Sequence, residues 1–139
     1  MAEPGSYVLV VAVESPITIT IGALGEREFT AGGYAYVGSA FGPGGLSRVD
    51  RHRRVASGDH DIRHWHIDYL LGAAQSGLAS VETYPNKDIE CVLATAFADA
   101  GCTPVAAFGA SDCDCGSHLW KLGGLSLPAA VKAVSEKRN

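Results

Sequence analysis

Gly33-Tyr34-Ala35-Tyr36-Val37-Gly38-Ser39-Ala40, residues 33–40, marks the point where an alternating apolar run gives way to a glycine-rich loop. Tyr34 to Gly38 reads as a strand, whose two-residue period sets both tyrosines on one face. Ser39 to Gly45 contains three glycines and a proline, which makes it a loop. From Leu46 to about Ser57 the spacing predicts a helix, with Leu46, Val49 and Val55 turned inward and the arginines outward.

Upstream, Tyr7 to Val13 is apolar and rich in valine, as a buried strand is. Ile17 to Ile21 alternates strictly, so it should have one buried and one wet face. Ser15-Pro16 supplies the turn between them. Gly22 to Gly33 looks like a polar hairpin with Gly25-Glu26 at a turn. Downstream, His66 to Leu71 ends a second ordered segment and Leu78 to Tyr84 reads as a short strand. Asp88 to Ala100 is an amphipathic helix with Ile89, Val92, Leu93, Ala96 and Phe97 inward and Gly101 as its stop. Pro104 to Phe108 is a further candidate strand, Ser111 to Ser117 a cysteine-rich turn, and Leu127 to Lys137 a terminal helix. Strands joined by short turns are expected to be antiparallel neighbours. The fold class is therefore α+β, a small central, mainly antiparallel sheet flanked by helices, in a single domain spanning residues 1–139.

An apolar fraction of 47% and a charged fraction of 19% are those of an ordinary globular chain, which excludes a disordered one. Met1-Ala2-Glu3-Pro4 is acidic, unlike the start of a signal peptide, and no run approaches the roughly 18 apolar residues of a membrane span. The expected setting is cytoplasmic, with no membrane partner. A net charge of -4 argues against a general nucleic-acid coat protein. The distribution differs from the sum. Arg48, Arg51, Arg53, Arg54 and Arg63, five of eleven Lys and Arg, fall together and interleave with His52, His60, His64 and His66. Such clustering suits a focused polyanion site, or a solvated helix face neutralised by Asp50, Asp59 and Asp61. With no secretory signal, Cys91, Cys102, Cys113 and Cys115 are expected as reduced thiols.

The chemistry-bearing residues centre on the opening stretch. A strand can present a tyrosine hydroxyl at its end, and Gly38 lets a ligand or another backbone approach closely. The following helix carries Arg48 and His52 one turn apart on one face. A phenol, a forked cation and an imidazole converging on one spot can bind a phosphodiester and manage a proton. In His64-Trp65-His66-Ile67-Asp68, alternation in an extended segment would set His64, His66 and Asp68 on one side, as a metal or phosphate site. Alternatively Trp65, Ile67, Leu70 and Leu71 are core. Cys113, Cys115 and His118 have ligand-like spacing, and a structural zinc there would need a fourth ligand from Cys91 or Cys102. A tight turn with buried thiols explains the same residues.

Taken together, Gly-Tyr-x-Tyr-Val-Gly-Ser-Ala, Arg-His, His-Trp-His-Ile-Asp-Tyr-Leu-Leu, Glu-Cys-x-Leu-Ala and Phe-Gly-x-Ser-Asp-Cys-x-Cys-x-Ser-His-Leu resemble the GIY-YIG nucleases, in particular the archaeal and bacterial Uri-type branch. The resemblance runs from about Gly5 to Leu119. It implies a GIY-YIG-like fold and a metal-dependent DNA endonuclease acting in repair or processing of unusual DNA. Gly5-Ser6-Tyr7 matches the first motif and Tyr36-Val37-Gly38 the second, whose tyrosines position or deprotonate the attacking water. Arg48 matches the arginine on the scissile phosphate, His52 the residue one turn later, and Glu90 the carboxylate that holds one divalent cation, magnesium or manganese. Gly38, Ser39, Arg51, His64 and His66 are the implied substrate-binding residues. The sequence departs from the pattern in three places. The hairpin between the tyrosine motifs is longer than in compact members, Val92 stands where a second acid is frequent, and Ser111, Asp112 and Ser117 are the nearest substitutes for a late asparagine. Two other functions remain open: a nucleic-acid-binding module with weak or no turnover, acting beside a repair protein, and a small zinc protein built on Cys113, Cys115 and His118. RNA as substrate and the oligomeric state are undecided.

Overall fold

Strand β1, Gly5–Val13, is apolar at nearly every position because both of its faces are covered. A computed structural model of the chain describes residues 3–20, 25–41, 44–58, 66–73, 76–99, 101–105 and 119–122, apart from the side chains of His66, Glu90 and Cys91. In chain order the further elements are β2 (Ile17–Thr20), β3 (Glu26–Phe29), β4 (Gly32–Ala40), α1 (Ser47–Ser57), α2 (His66–Leu71), β5 (Ser76–Pro85), α3 (Glu90–Asp99), β6 (Thr103–Pro104) and β7 (Leu119–Lys121). Among the described residues five strands form one sheet in the order β5-β1-β4-β7-β6, and every pairing between them is antiparallel. The protein is thus α+β with a mainly antiparallel central sheet, as the sequence predicts.

Strand period divides the core in two. Tyr7, Leu9, Val11 and Val13 of β1 join Tyr34 and Tyr36 of β4, and α1 and α2 cover them with Val49, Val55, Ile67, Leu70 and Leu71. Val8 and Val10 point the other way, beside Ala35, Val37, Trp120 and Leu122, where α3 covers them with Leu93, Ala94, Ala96 and Phe97. Each large apolar side chain so enclosed contributes about 1.5–3 kcal/mol, and this burial on both faces holds the layers together.

Several expectations change. Strands β1 and β2 are not sheet neighbours: β2 pairs with β3 in a separate two-stranded ribbon, Ile17 opposite Phe29. The reason is competition for edges, since β4 and β5 occupy both sides of β1 from Gly5 to Val13. His66 to Leu71 is a helix and not an extended segment, so the two-residue alternation expected to run through Asp68 does not hold over these residues. Strand β5 begins before Leu78, at Ser76, and β7 is a strand that the sequence pattern did not mark. Helix α3 turns Ala94 inward and leaves Val92 exposed, the reverse of the expected place for Val92. Gly58 and Gly101, at φ 86° and 88°, adopt the left-handed conformation that stops a helix at little cost. The Ser111–Ser117 turn, the 127–137 helix and residues 106–108 of the candidate strand from Pro104 to Phe108 lie outside the described residues.

Candidate active site

One end of the sheet gathers the starts and stops of five elements. Gly5 is paired with Ala40 on one side and Pro85 on the other. The Leu46 amide donates to the Glu3 carbonyl, which fixes the entry to α1, and the Asn86 amide donates to the Pro4 carbonyl. Ser6 is buried on the α3 side of β1, where its hydroxyl donates to the Lys87 carbonyl at 2.8 Å and accepts the Ile89 amide at 3.0 Å. The connection that leads into α3 is therefore tied to the residue next to Tyr7.

Tyr7 projects to the opposite face, toward α1. It is opposite Gly38 in the β1–β4 register, and its ring lies across that glycine. A methyl group at Gly38 would run into Cζ and Oη of Tyr7, so the close approach expected of this glycine is made by the first-motif tyrosine. The Tyr7 hydroxyl lies 2.9 Å from Nε2 of His52, and Nδ1 of His52 lies 2.8 Å from Oδ1 of Asp68. Tyr36 stands beside both, its ring centroid 6.4 Å from that of Tyr7 and 6.5 Å from that of His52. Arg48, half-buried, donates from Nη1 to the carbonyl of Ser39 and so keeps its guanidinium at the end of β4. The group is graded by depth: His52 and Asp68 are 0% exposed, Tyr7 1% and Tyr36 8%, while Ser39 and Arg48 reach solvent.

The structure thus brings Tyr7, Tyr36, Gly38, Ser39, Arg48 and His52 to one place. Arg51 is half-buried on the same helix, whereas Arg53 and Arg54 are exposed. Buried between Val49 and Val55, His52 belongs to the core and not to the surface basic patch in which the sequence set it. Tyr34 is a packing residue, edge-on to Phe29, with its hydroxyl donating to the Thr30 carbonyl. Glu90 opens α3 and His66 opens α2, with side chains outside the description, and His64, Cys113, Cys115 and His118 lie outside it altogether. Among the described residues no group of three or more His, Cys, Asp or Glu is placed to hold a metal ion. Burial pushes the Cys102 thiol up from its usual pKa, which favours the protonated form over the thiolate that zinc binds.

Sequence reasoning named Asp68 but missed one of its partners, His52, sixteen positions earlier on another helix. The signal that was present is its setting: a carboxylate flanked by Ile67, Leu70 and Leu71 is buried with them and must be paired.

On this antiparallel α+β scaffold a buried phenol–imidazole–carboxylate chain can pass a proton, and the Arg48 guanidinium, one turn before His52 on α1, can meet an anion. The family model for the domain of unknown function DUF123 matches residues 6–138, and the chain belongs to that family. Neither the curated proteins nor the solved structures gave a match to the chain. Among the described residues no helix is long and apolar enough to cross a membrane.

Proposed function

We propose that the chain is a metal-dependent DNA endonuclease of the GIY-YIG type, Uri-type branch, that hydrolyses phosphodiester bonds in cytoplasmic repair or processing of unusual DNA. The observation that carries this reading is the meeting of Tyr7, Tyr36, His52 and Arg48 at one end of the sheet. Arg48 offers a forked cation to a phosphate oxygen, the geometry that guanidinium groups supply best. The tyrosines and His52 provide oxygen and nitrogen acceptors for a proton of the attacking water. Ser39 sets the rim against which a DNA strand would lie, Gly38 behind it giving the Tyr7 ring its place, and Arg51, His64 and His66 extend the phosphate contacts.

Glu90 is the residue that would hold the magnesium or manganese ion. A single carboxylate completed by water and phosphate oxygens is a donor set that magnesium accepts, and the Ser6–Ile89 bond anchors the start of α3 next to the tyrosine strand. When bound, the ion would neutralise developing charge on the phosphate.

Incubation with branched, nicked and single-stranded DNA plus magnesium or manganese tests the reading, with RNA as a further arm. Cleavage should fall about 10²-fold or more in both Arg48→Ala and Glu90→Ala, the size of loss seen when one transition-state contact is removed. Cleavage unaffected by either change would sink the proposed site. A second reading, a binding module without turnover, is favoured by the near-complete burial of Tyr7 and His52 and by exposed Val92 in place of a second acid. Salt-sensitive binding with no product would select it.

A further inference from the structure

We propose that Phe41 is a base-stacking platform at the rim of the site, so that the DNA held there is taken as an unpaired strand. Its place beside the phosphate-binding residues rests on the nuclease reading above, whereas the stacking is a property of binding alone.

The large apolar side chains of the described residues are mostly enclosed by the two layers of core. Phe41, at 46%, and Val92, at 42%, are the exposed ones. A single exposed apolar side chain is ordinary on a protein surface, so its position has to give it meaning. Both stand at the end of the sheet where the site residues meet, Val92 in the first turn of α3 and Phe41 one residue beyond β4. Phe41 is two positions from Ser39, about 7 Å of extended chain, and the Ser39 carbonyl accepts from Arg48.

The root of Phe41 is fixed on both sides. Ala40 before it is paired with Gly5, and the connection it opens ends where the Leu46 amide donates to the Glu3 carbonyl at 2.8 Å. The Ser47 hydroxyl closes the last turn of that connection on the Gly44 carbonyl at 2.6 Å. An aromatic ring on an anchored root, with two side-chain torsions to order, loses little entropy on meeting a ligand. Between Ala40 and Ser47 the sequence carries no charge. What this segment offers a polyanion is therefore a ring face and not another cation.

A base inside a duplex has both faces covered by its neighbours and shows only its edges to the grooves. A ring face stacks on a base only where that base is unpaired, flipped out or at a strand end. Every base has such a face, so the contact selects the state of the strand and not its sequence. Under the nuclease reading Arg48 holds a phosphate while Phe41 takes a base of the same strand.

Fluorescence anisotropy with divalent metal chelated tests binding without cleavage. The probes are a labelled oligothymidine and a labelled duplex of the same strand length. Phe41→Ala and Phe41→Leu should both weaken oligothymidine binding roughly 5- to 150-fold, and Phe41→Trp should keep it. The slope of log affinity on log salt should stay at its wild-type value, since no phosphate contact is lost. Duplex affinity and thermal melting should not change, because the ring is exposed in the free protein. Proton NMR gives the signature of stacking: thymine methyl signals should move upfield on binding wild type and stay in place with Phe41→Leu. Wild-type oligothymidine affinity in Phe41→Leu would overturn the proposal, as would an equal loss for oligothymidine and duplex. If binding depends on Phe41 but magnesium and manganese give no product, the nuclease reading fails and the stacking site stands. If wild type and Phe41→Leu cut duplex and single strand alike, the nuclease reading stands and the stacking site fails.

Discussion

Gly38 lacks a side chain where the ring of Tyr7 takes up the space. Alanine there would have to push the ring off β4, and the 2.9 Å bond to His52 would go with it. Gly38→Ala should cost about 1–3 kcal/mol, the usual price of overpacking, and should abolish the Tyr7-dependent part of any cleavage. Thermal unfolding and cleavage assays measured side by side check this, and a variant with wild-type melting and wild-type rate would contradict it. At this scale the sequence was informative about types and poor about partners. Tyr36, Arg48 and His52 were legible as a group because strand and helix periods place them locally. Asp68 against His52 was not, because the pairing joins two helices and no periodicity spans them.

Helix α2 shows why the element scale misled. His64, His66 and Asp68 suggest a period of two, yet Ile67, Leu70 and Leu71 follow helical spacing and are the residues that bury. The apolar positions decide, since their burial outweighs any preference of exposed polar groups. Ser6 acts at the same scale from the other face. Its hydroxyl joins β1 to the connection that leads into α3, satisfying the Lys87 carbonyl and the Ile89 amide together. Ser6→Ala leaves both without that partner and should destabilise by about 1–3 kcal/mol. The change should be felt first as faster hydrogen exchange at the Ile89 amide. If exchange there stays at the wild-type rate while the protein is globally destabilised, the anchoring role of Ser6 is wrong.

For the molecule as a whole, the central sheet was legible in class but not in order. The ribbon of β2 and β3 separates β1 from its partner β4 in sequence, and only the full-length occupation of both edges of β1 reveals that the ribbon stands apart. Charge has the same character. The chain carries a net charge of -4, so under the proposed nuclease reading its surface would repel DNA on average, and the α1 arginines would supply local attraction. Arg53 is paired with Asp50 at 3.3 Å, but both side chains are more than half exposed. Such a surface pair is worth no more than about 1 kcal/mol and yields easily to a phosphate. Each phosphate contact with duplex DNA steepens the dependence of log affinity on log salt by about 0.9. Arg53→Ala and Arg54→Ala should therefore each reduce the slope by about 1, weakening binding alike across DNA sequences. Fluorescence anisotropy with labelled duplex between about 50 and 200 mM salt measures it. A slope untouched by both changes would mean that the DNA is held elsewhere than along α1.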